Sequence, residues 1–295
     1  MTSNRAEYLL IVVTVIAAAG WLFSKNALQE IPAYSFIAMR FIIAAMVLAS
    51  FCLSQLRSVT GEQLLRSAFT GSVLGFTLLF WILGLQQTAS IGMGAFIVSL
   101  SIVVVPLIGR ALFSQAIPSA LFAALLPALI GLALLTIDNG FVLKSDQYYF
   151  LIATLGFALH LNLSSHFVSQ TPSLANTTIQ LTVIGLIAAV AAFLSESWSA
   201  PFSPLTWVWL LASAIVATSL RFALQNYALR FMSPSHASMI MLLEPVSTAF
   251  LGVWLLGEQF SNNKILGCAL ILIALLVFRS EVIFAWLKAR TSNQN

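Results

Sequence analysis

A chain of 295 residues that is 60% hydrophobic and 7% charged, with a mean hydropathy of +0.99, is not a soluble domain, because such domains carry about 25% charged residues. Its formal net charge of +4 is scattered, without a basic cluster interleaved with aromatics. That excludes nucleic acid as a partner and leaves the lipid bilayer as the expected one. Cys52 and Cys268 fall in separate apolar runs and read as small core residues, not as a disulfide or a metal pair.

Apolar runs of about 20 residues recur along the whole length, so the spanning elements are helices rather than barrel strands. The first is expected near Tyr8–Leu28, ended by Gln29-Glu30-Ile31-Pro32. Arg5 and Ala17-Ala18-Ala19 imitate a secretory signal, but the run continues through Trp21 and Phe23, and a retained first helix is expected. The second span lies near Tyr34–Leu56. A charged connection, Arg57 to Arg66, leads to the third near Leu65–Leu85, and Gln86-Gln87-Thr88 turns the chain into the fourth near Ile91–Phe113. The fifth lies near Ile117–Ile137, followed by the turn signal Asp138-Asn139-Gly140. The remaining spans are expected near Tyr148–Val168, Leu174–Leu194, Leu205–Leu229, Pro234–Leu256 and Ile265–Phe284.

Ten spans put both termini on one face. Assigned to the cytoplasm, that face collects Arg5, Arg57, Arg66, Arg110, Arg230, Arg279, Lys288 and Arg290, against Lys144 and Lys264 outside, as the positive-inside rule requires. The expected fold class is an all-α membrane protein of about ten transmembrane helices, arranged as two inverted five-helix repeats. Residues 1–140 form the first repeat, 141–285 the second and 286–295 a polar cytoplasmic tail, with the plasma membrane as the expected location.

The halves align on themselves. An offset of 140 pairs Tyr8 with Tyr148, Pro32 with Pro172 and Arg40 with Gln180. At 143, Ala124 meets Gly267 and Gly131 meets Ala274. Around the fourth and ninth helices two registers compete: 139 superposes Pro106 on Pro245, whereas 143 superposes Ser101 on Glu244. Five spans per half give the halves opposite topology. Secondary transporters are built this way, with the substrate site near the midplane between the repeats.

The most telling stretch is Ala228 to Glu258. Within a helix long enough to cross the bilayer it holds Glu244, followed by Pro245. An acid at that depth costs about 3 kcal/mol or more and needs a partner or a water-lined cavity, and proline removes a backbone donor beside it. The order Ala228-Leu229-Arg230, Leu243-Glu244-Pro245-Val246, Leu255-Leu256-Gly257-Glu258 and Gly267-Cys268-Ala269-Leu270 resembles the second EamA repeat of the drug/metabolite transporter superfamily. The first half is similar through Lys25, Pro32, Arg40-Phe41, Gly94-Ala95-Phe96-Ile97 and Val103-Val104-Val105-Pro106-Leu107. It departs from the pattern at Gly20-Trp21, a reversed Trp-Gly pair, and at Ser114-Gln115, where Gly-Glu is usual. The resemblance implies a ten-helix carrier of small organic metabolites, such as amino acids or amphipathic compounds, usually moved outward.

The candidate substrate-binding residues are Glu244, Arg40, Lys25, His160, Asn162, Trp81, Phe80 and Tyr227. Glu244 either binds a cationic group, couples transport to protons, or props a broken helix. Arg40 faces a substrate carboxylate or pairs with Glu244, and Lys25 does the former or snorkels to the outer interface. His160 and Asn162 belong to a sixth helix too polar to face lipid throughout. Phe80 and Trp81 are candidate cavity aromatics, and Tyr227 ends the eighth helix at a mouth. Arg221 reads as a snorkelling cation or an inner gate. His160 and His166 are spaced for different helix faces, so no metal site is expected. The sequence contains no phosphate loop, HExxH, dinucleotide fingerprint or cysteine cluster, so no cofactor is expected and coupling to an ion gradient or exchange remains. The alternatives are an intramembrane lipid-modifying enzyme, for which no nucleophile and base converge, and a non-transporting scaffold.

Overall fold

The computed structural model describes residues 3–88, 91–117, 119–136, 145–167, 170–197, 201–256 and 262–278. Among these residues every regular element is a helix. The helices are α1 (Ser3–Ala27), α2 (Ala33–Arg57), α3 (Gly61–Gln87), α4 (Ile91–Ser99), α5 (Ser101–Phe113), α6 (Ser119–Thr136) and α7 (Ser145–Phe167). They continue with α8 (Ser173–Ser195), α9 (Pro204–Ala214), α10 (Arg221–Ala228), α11 (Pro234–Met241), α12 (Leu243–Leu256) and α13 (Asn262–Phe278). Among the described residues seven helical stretches are long and apolar enough to cross a membrane, and Ser119–Gly131 and Ile265–Phe278 are shorter apolar helices. The protein is a multi-pass helical membrane protein. The outward surface agrees: Phe193 is 89% exposed and Phe51 76%, an arrangement that suits acyl chains and not water. The turn Asp138-Asn139-Gly140, Lys144, Gly257-Glu258, Arg279 and the 286–295 tail lie outside the described residues.

One boundary differs from the sequence reading. The connection expected from Arg57 to Arg66 is mostly helix, because Thr60 and Gln63 form a capping box that starts α3 at Gly61. Thr60 Oγ1 accepts from Gln63 N–H, and Gln63 Oε1 accepts from Thr60 N–H, which satisfies two orphan donors at the helix start.

Contacts between the helices are reciprocal. Exchange α1 with α7, α2 with α8, α3 with the α9–α10 helix, α4–α5 with α11–α12, and α6 with α13. Then α2 and α6 each pack on their own counterpart, α8 and α13. α3 packs on α7 as α9 and α10 pack on α1, while α4 meets α12 and α5 meets α11. Close approach is needed where α3 crosses α8. A Cβ on Gly71 would stand 2.8 Å from Gln180 Cα, and one on Gly75 2.9 Å from Ile187 Cδ1. The Gly71/Gly75 step is therefore a packing surface, as small-xxx-small steps are in membranes.

Candidate functional site

Two helical runs, α4–α5 and α11–α12, are broken at corresponding places. α4 gives way to α5 at Leu100 (φ −60°, ψ −12°), and α11 to α12 at Leu242 (φ −60°, ψ −15°). At each break the hydrogen bonding tightens to the i→i−3 pattern: Leu100 N–H donates to Ile97 O (3.1 Å) and Leu242 N–H to Met239 O (3.2 Å). Pro245 has no N–H for the carbonyl four residues back, Met241, so the ladder is interrupted there. The breaks are 142 residues apart, which sets the helix-4/helix-9 register beside 143 and away from 139. Irregular backbone at membrane depth is tolerated where it borders a cavity, and here Ser99, Ser101, Met241 and Leu242 from the two breaks line one cavity.

That cavity has a volume of about 110 Å³, room for several waters at roughly 10–15 Å³ each. Glu244, in the first turn of α12, projects into it. Trp21 Nε1 donates to Glu244 Oε1 at 2.7 Å. This charge-assisted bond, of a kind that contributes about 1.5–3 kcal/mol, ties α1 to α12. Trp21 packs edge-on against Trp81, with ring centroids 5.1 Å apart. Glu244 is thus held by a tryptophan, not by the Arg40 pairing considered from sequence.

Arg40 is buried, at 5% exposure, and lines the cavity from α2. Its Nε donates to Thr218 Oγ1 (2.6 Å), Nη1 to Ser24 Oγ (2.9 Å) and Nη2 to Ala217 O (3.3 Å). Two of these acceptors exist because Ile215–Leu220 is π-helical. The wider turn lets Thr218 Oγ1 reach back to Ser213 O (2.8 Å) and turns Ala217 O toward the guanidinium. Phe36 and Phe41 flank the cation at 5.8 and 5.5 Å, within cation–π range. All three acceptors are neutral, so they orient the charge without cancelling it.

His160 and Arg221 also line the cavity. Gln180 Nε2 donates to Asn176 Oδ1 (3.1 Å), which turns Gln180 Oε1 to His160 Nε2 (3.1 Å). His160 Nε2 is therefore the donor in this arrangement, and Ser164 Oγ lies 3.0 Å from the same nitrogen. Arg221 stacks on Phe222 at 4.8 Å. Its Nε is buried without a hydrogen-bond partner, and among the described residues it makes no salt bridge.

Of the eight residues singled out from sequence, four line the cavity: Glu244, Arg40, Trp81 and His160. The others lie elsewhere. Phe80 is 37% exposed, since successive helix residues point about 100° apart and Trp81 takes the inward position. Lys25 Nζ donates to Leu85 O (3.0 Å) and Thr88 O (2.6 Å), capping the end of α3 where carbonyls lack helical partners. Asn162 is fully buried and donates to Val105 O and Ala158 O, both at 2.9 Å, bracing α7 against α5. Tyr227 is 40% exposed and borders a separate groove with Gln55, Pro172 and Arg230.

Trp21 was visible in the sequence only as half of a reversed Gly-Trp pair. Its role depends on a partner 223 positions away. Among the described residues no group of three or more His, Cys, Asp or Glu could hold a metal ion. His166 sits between Phe113 and Phe167, apart from His160. His236, capped by Ser233 Oγ at the start of α11, has Nε2 3.2 Å from Glu7 Oε1, so a second carboxylate, 6% exposed, is buried at the start of α1.

The model of the EamA-like transporter family matches residues 4–137 and again residues 147–280. The chain belongs to the EamA-like transporter family. Two proteins of Archaeoglobus fulgidus, each described as an uncharacterized transporter, are relatives. One is 26% identical over 280 residues, 94% of this chain and 86% of its own length. The other is 26% identical over 72 residues, 24% of this chain and 27% of its own length. A solved crystal structure of a protein shares the fold, with a TM-score of 0.76 at 15% identity, covering 93% of this chain and 95% of that one. The family and the transporter relatives point to a transporter and not to an enzyme. In this EamA-like protein the paired helix breaks and the Glu244–Trp21 contact border one cavity.

Proposed function

We propose that this protein is a secondary transporter that moves small organic metabolites, such as amino acids or amphipathic compounds, outward across the plasma membrane by alternating access. Its ten passes form two inverted five-helix halves, 1–140 and 141–285, with both termini cytoplasmic. Glu244, Arg40, His160 and Trp81 contact the substrate. Lys25, Asn162, Phe80 and Tyr227 act through the frame or the surface around it.

One observation carries this reading: two broken helices from the two repeats meet at a single cavity that also holds a carboxylate and two guanidinium groups. Membrane proteins confine charge and irregular backbone to functional cavities because both are costly in lipid. The inter-repeat position is where inverted-repeat transporters bind substrate. Glu244, hydrogen-bonded by Trp21 in this conformation, is the group we assign to proton coupling.

The test is uptake and counterflow in proteoliposomes of the purified protein, using radiolabelled amino acids and organic acids with and without a pH gradient. Saturable counterflow of one compound is the expected result, and loss of that flux in a folded Glu244→Gln variant ties it to this cavity. Absence of counterflow over the whole panel, from folded protein, overturns the reading.

A further inference from the structure

We infer that the cavity selects a monoanionic amphipathic substrate, a single carboxylate on a compact apolar body, and that Arg221 is its recognition residue. The inference rests on the transporter reading and adds the substrate's charge. Three charged side chains line the cavity, Arg40, Arg221 and Glu244, giving a formal balance of one positive charge with His160 neutral. Arginine stays charged in proteins, so the site cannot discharge itself cheaply by losing a proton. Arg40 already donates from all three nitrogens to neutral acceptors. Glu244 has accepted one bond from Trp21. Arg221 is the guanidinium without a salt bridge among the described residues, with Nε buried and unpaired.

Glu244 is close enough to act on Arg221 electrostatically but makes no salt bridge with it. A bound carboxylate would supply the acceptor Nε lacks, in the planar geometry that guanidinium groups prefer, and the second negative charge that two guanidinium groups need. Trp21, Trp81, Phe157 and Leu78 line the rest and fit an aromatic or branched apolar body. An ammonium on the same molecule would meet two guanidinium groups for one carboxylate, so within the proposed range amphipathic anions are favoured over amino acids and amines.

The test uses three compounds with one body and different charge: 3-phenylpropanoate, phenylalanine and 2-phenylethylamine. Each is measured for uptake and counterflow in proteoliposomes, and for its shift of the melting temperature of detergent-solubilised full-length protein. The expected result is saturable flux of phenylpropanoate, at least tenfold above the other two, which falls about 100-fold in Arg221→Gln. In Arg221→Lys, which keeps the charge but loses the fork, KM rises about tenfold; this variant carries the test if Arg221→Gln does not fold. Preferential flux of phenylalanine or phenylethylamine overturns the anion inference and leaves the transporter reading standing. Equal phenylpropanoate flux in wild type and folded Arg221→Gln likewise overturns the role of Arg221. No flux and no melting shift with any of the three overturns the anion inference, and the transporter reading then stands or falls on the wider panel.

Discussion

The two walls of the cavity use the same backbone positions for different chemistry. At the 140-residue offset, Gly20, Ser24, Phe36 and Arg40 of the first half correspond to His160, Ser164, Asn176 and Gln180 of the second. In the second half His160, Ser164, Asn176 and Gln180 form one neutral hydrogen-bonded chain. In the first half glycine replaces histidine, and a guanidinium lies where the second half has an amide. It is flanked by Phe36 and fixed by Ser24 and the π-helical turn of the other half. A Cβ on Gly20 would stand 2.9 Å from Ala217 Cβ and 3.8 Å from Arg40 Nη2. Volume removed on one helix is thus occupied by charge from the next. Identical repeats would place the same group at both positions; here a guanidinium stands at one and an uncharged amide at the other, while Arg221 lines the same cavity.

The largest effect is expected from making the walls alike. Arg40→Gln is expected to lower flux at least about 100-fold. Its melting temperature should hold or rise, because a buried cation held only by neutral acceptors contributes little net stability. A fall of several degrees together with wild-type flux per folded molecule would show that Arg40 is structural instead. Next comes Trp21→Phe, which keeps an aromatic ring near Trp81, though a smaller one, and removes the donor to Glu244. Loss of a charge-assisted bond of about 1.5–3 kcal/mol is expected to lower flux about tenfold and to alter its response to a pH gradient.

In the second-half chain, His160→Leu leaves Gln180 Oε1 buried without its donor. Destabilisation of about 1–3 kcal/mol is expected, seen as a lower melting temperature with a smaller loss of flux than for Arg40→Gln. Gly20→Ala presses a methyl group on the π-helical turn and is expected to cost about 1–3 kcal/mol by overpacking, again read from melting and flux. The same substitution at the exposed face of α3, at Gly61, meets nothing within 4 Å and serves as the control.

The smallest effect lies at the helix connections, where the comparison repeats itself. Glu30 Oε2 accepts from Ser203 N–H at 2.7 Å, holding the start of α9. Its counterpart Gln170 accepts from Gln63 Nε2 through its backbone oxygen at 2.6 Å and from Arg66 through its side chain. The Ser203 N–H bond holds the Glu30 carboxyl below its ordinary range. A lowered carboxyl stabilises the fold above the unfolded pKa and loses that contribution as pH falls through the folded one. The melting difference between wild type and Glu30→Gln is therefore expected to be small at neutral pH and to vanish in acid.

Composition and run length alone establish a multi-pass helical membrane protein, because lipid accepts only segments that satisfy their own backbone hydrogen bonds. The order of short motifs around Glu244 is enough to indicate the EamA-like family, and Pro245 marks one helix break in the sequence itself. The chemical partnerships were not legible. Trp21 with Glu244, and Arg40 with the π-helical turn, join residues 223 and 178 positions apart, and side-chain direction on adjacent helix positions separates Trp81 from Phe80. Local sequence determines how each segment hydrogen-bonds with itself. Which polar groups face one another follows from the rotation and crossing of packed helices, and that only the tertiary structure decides.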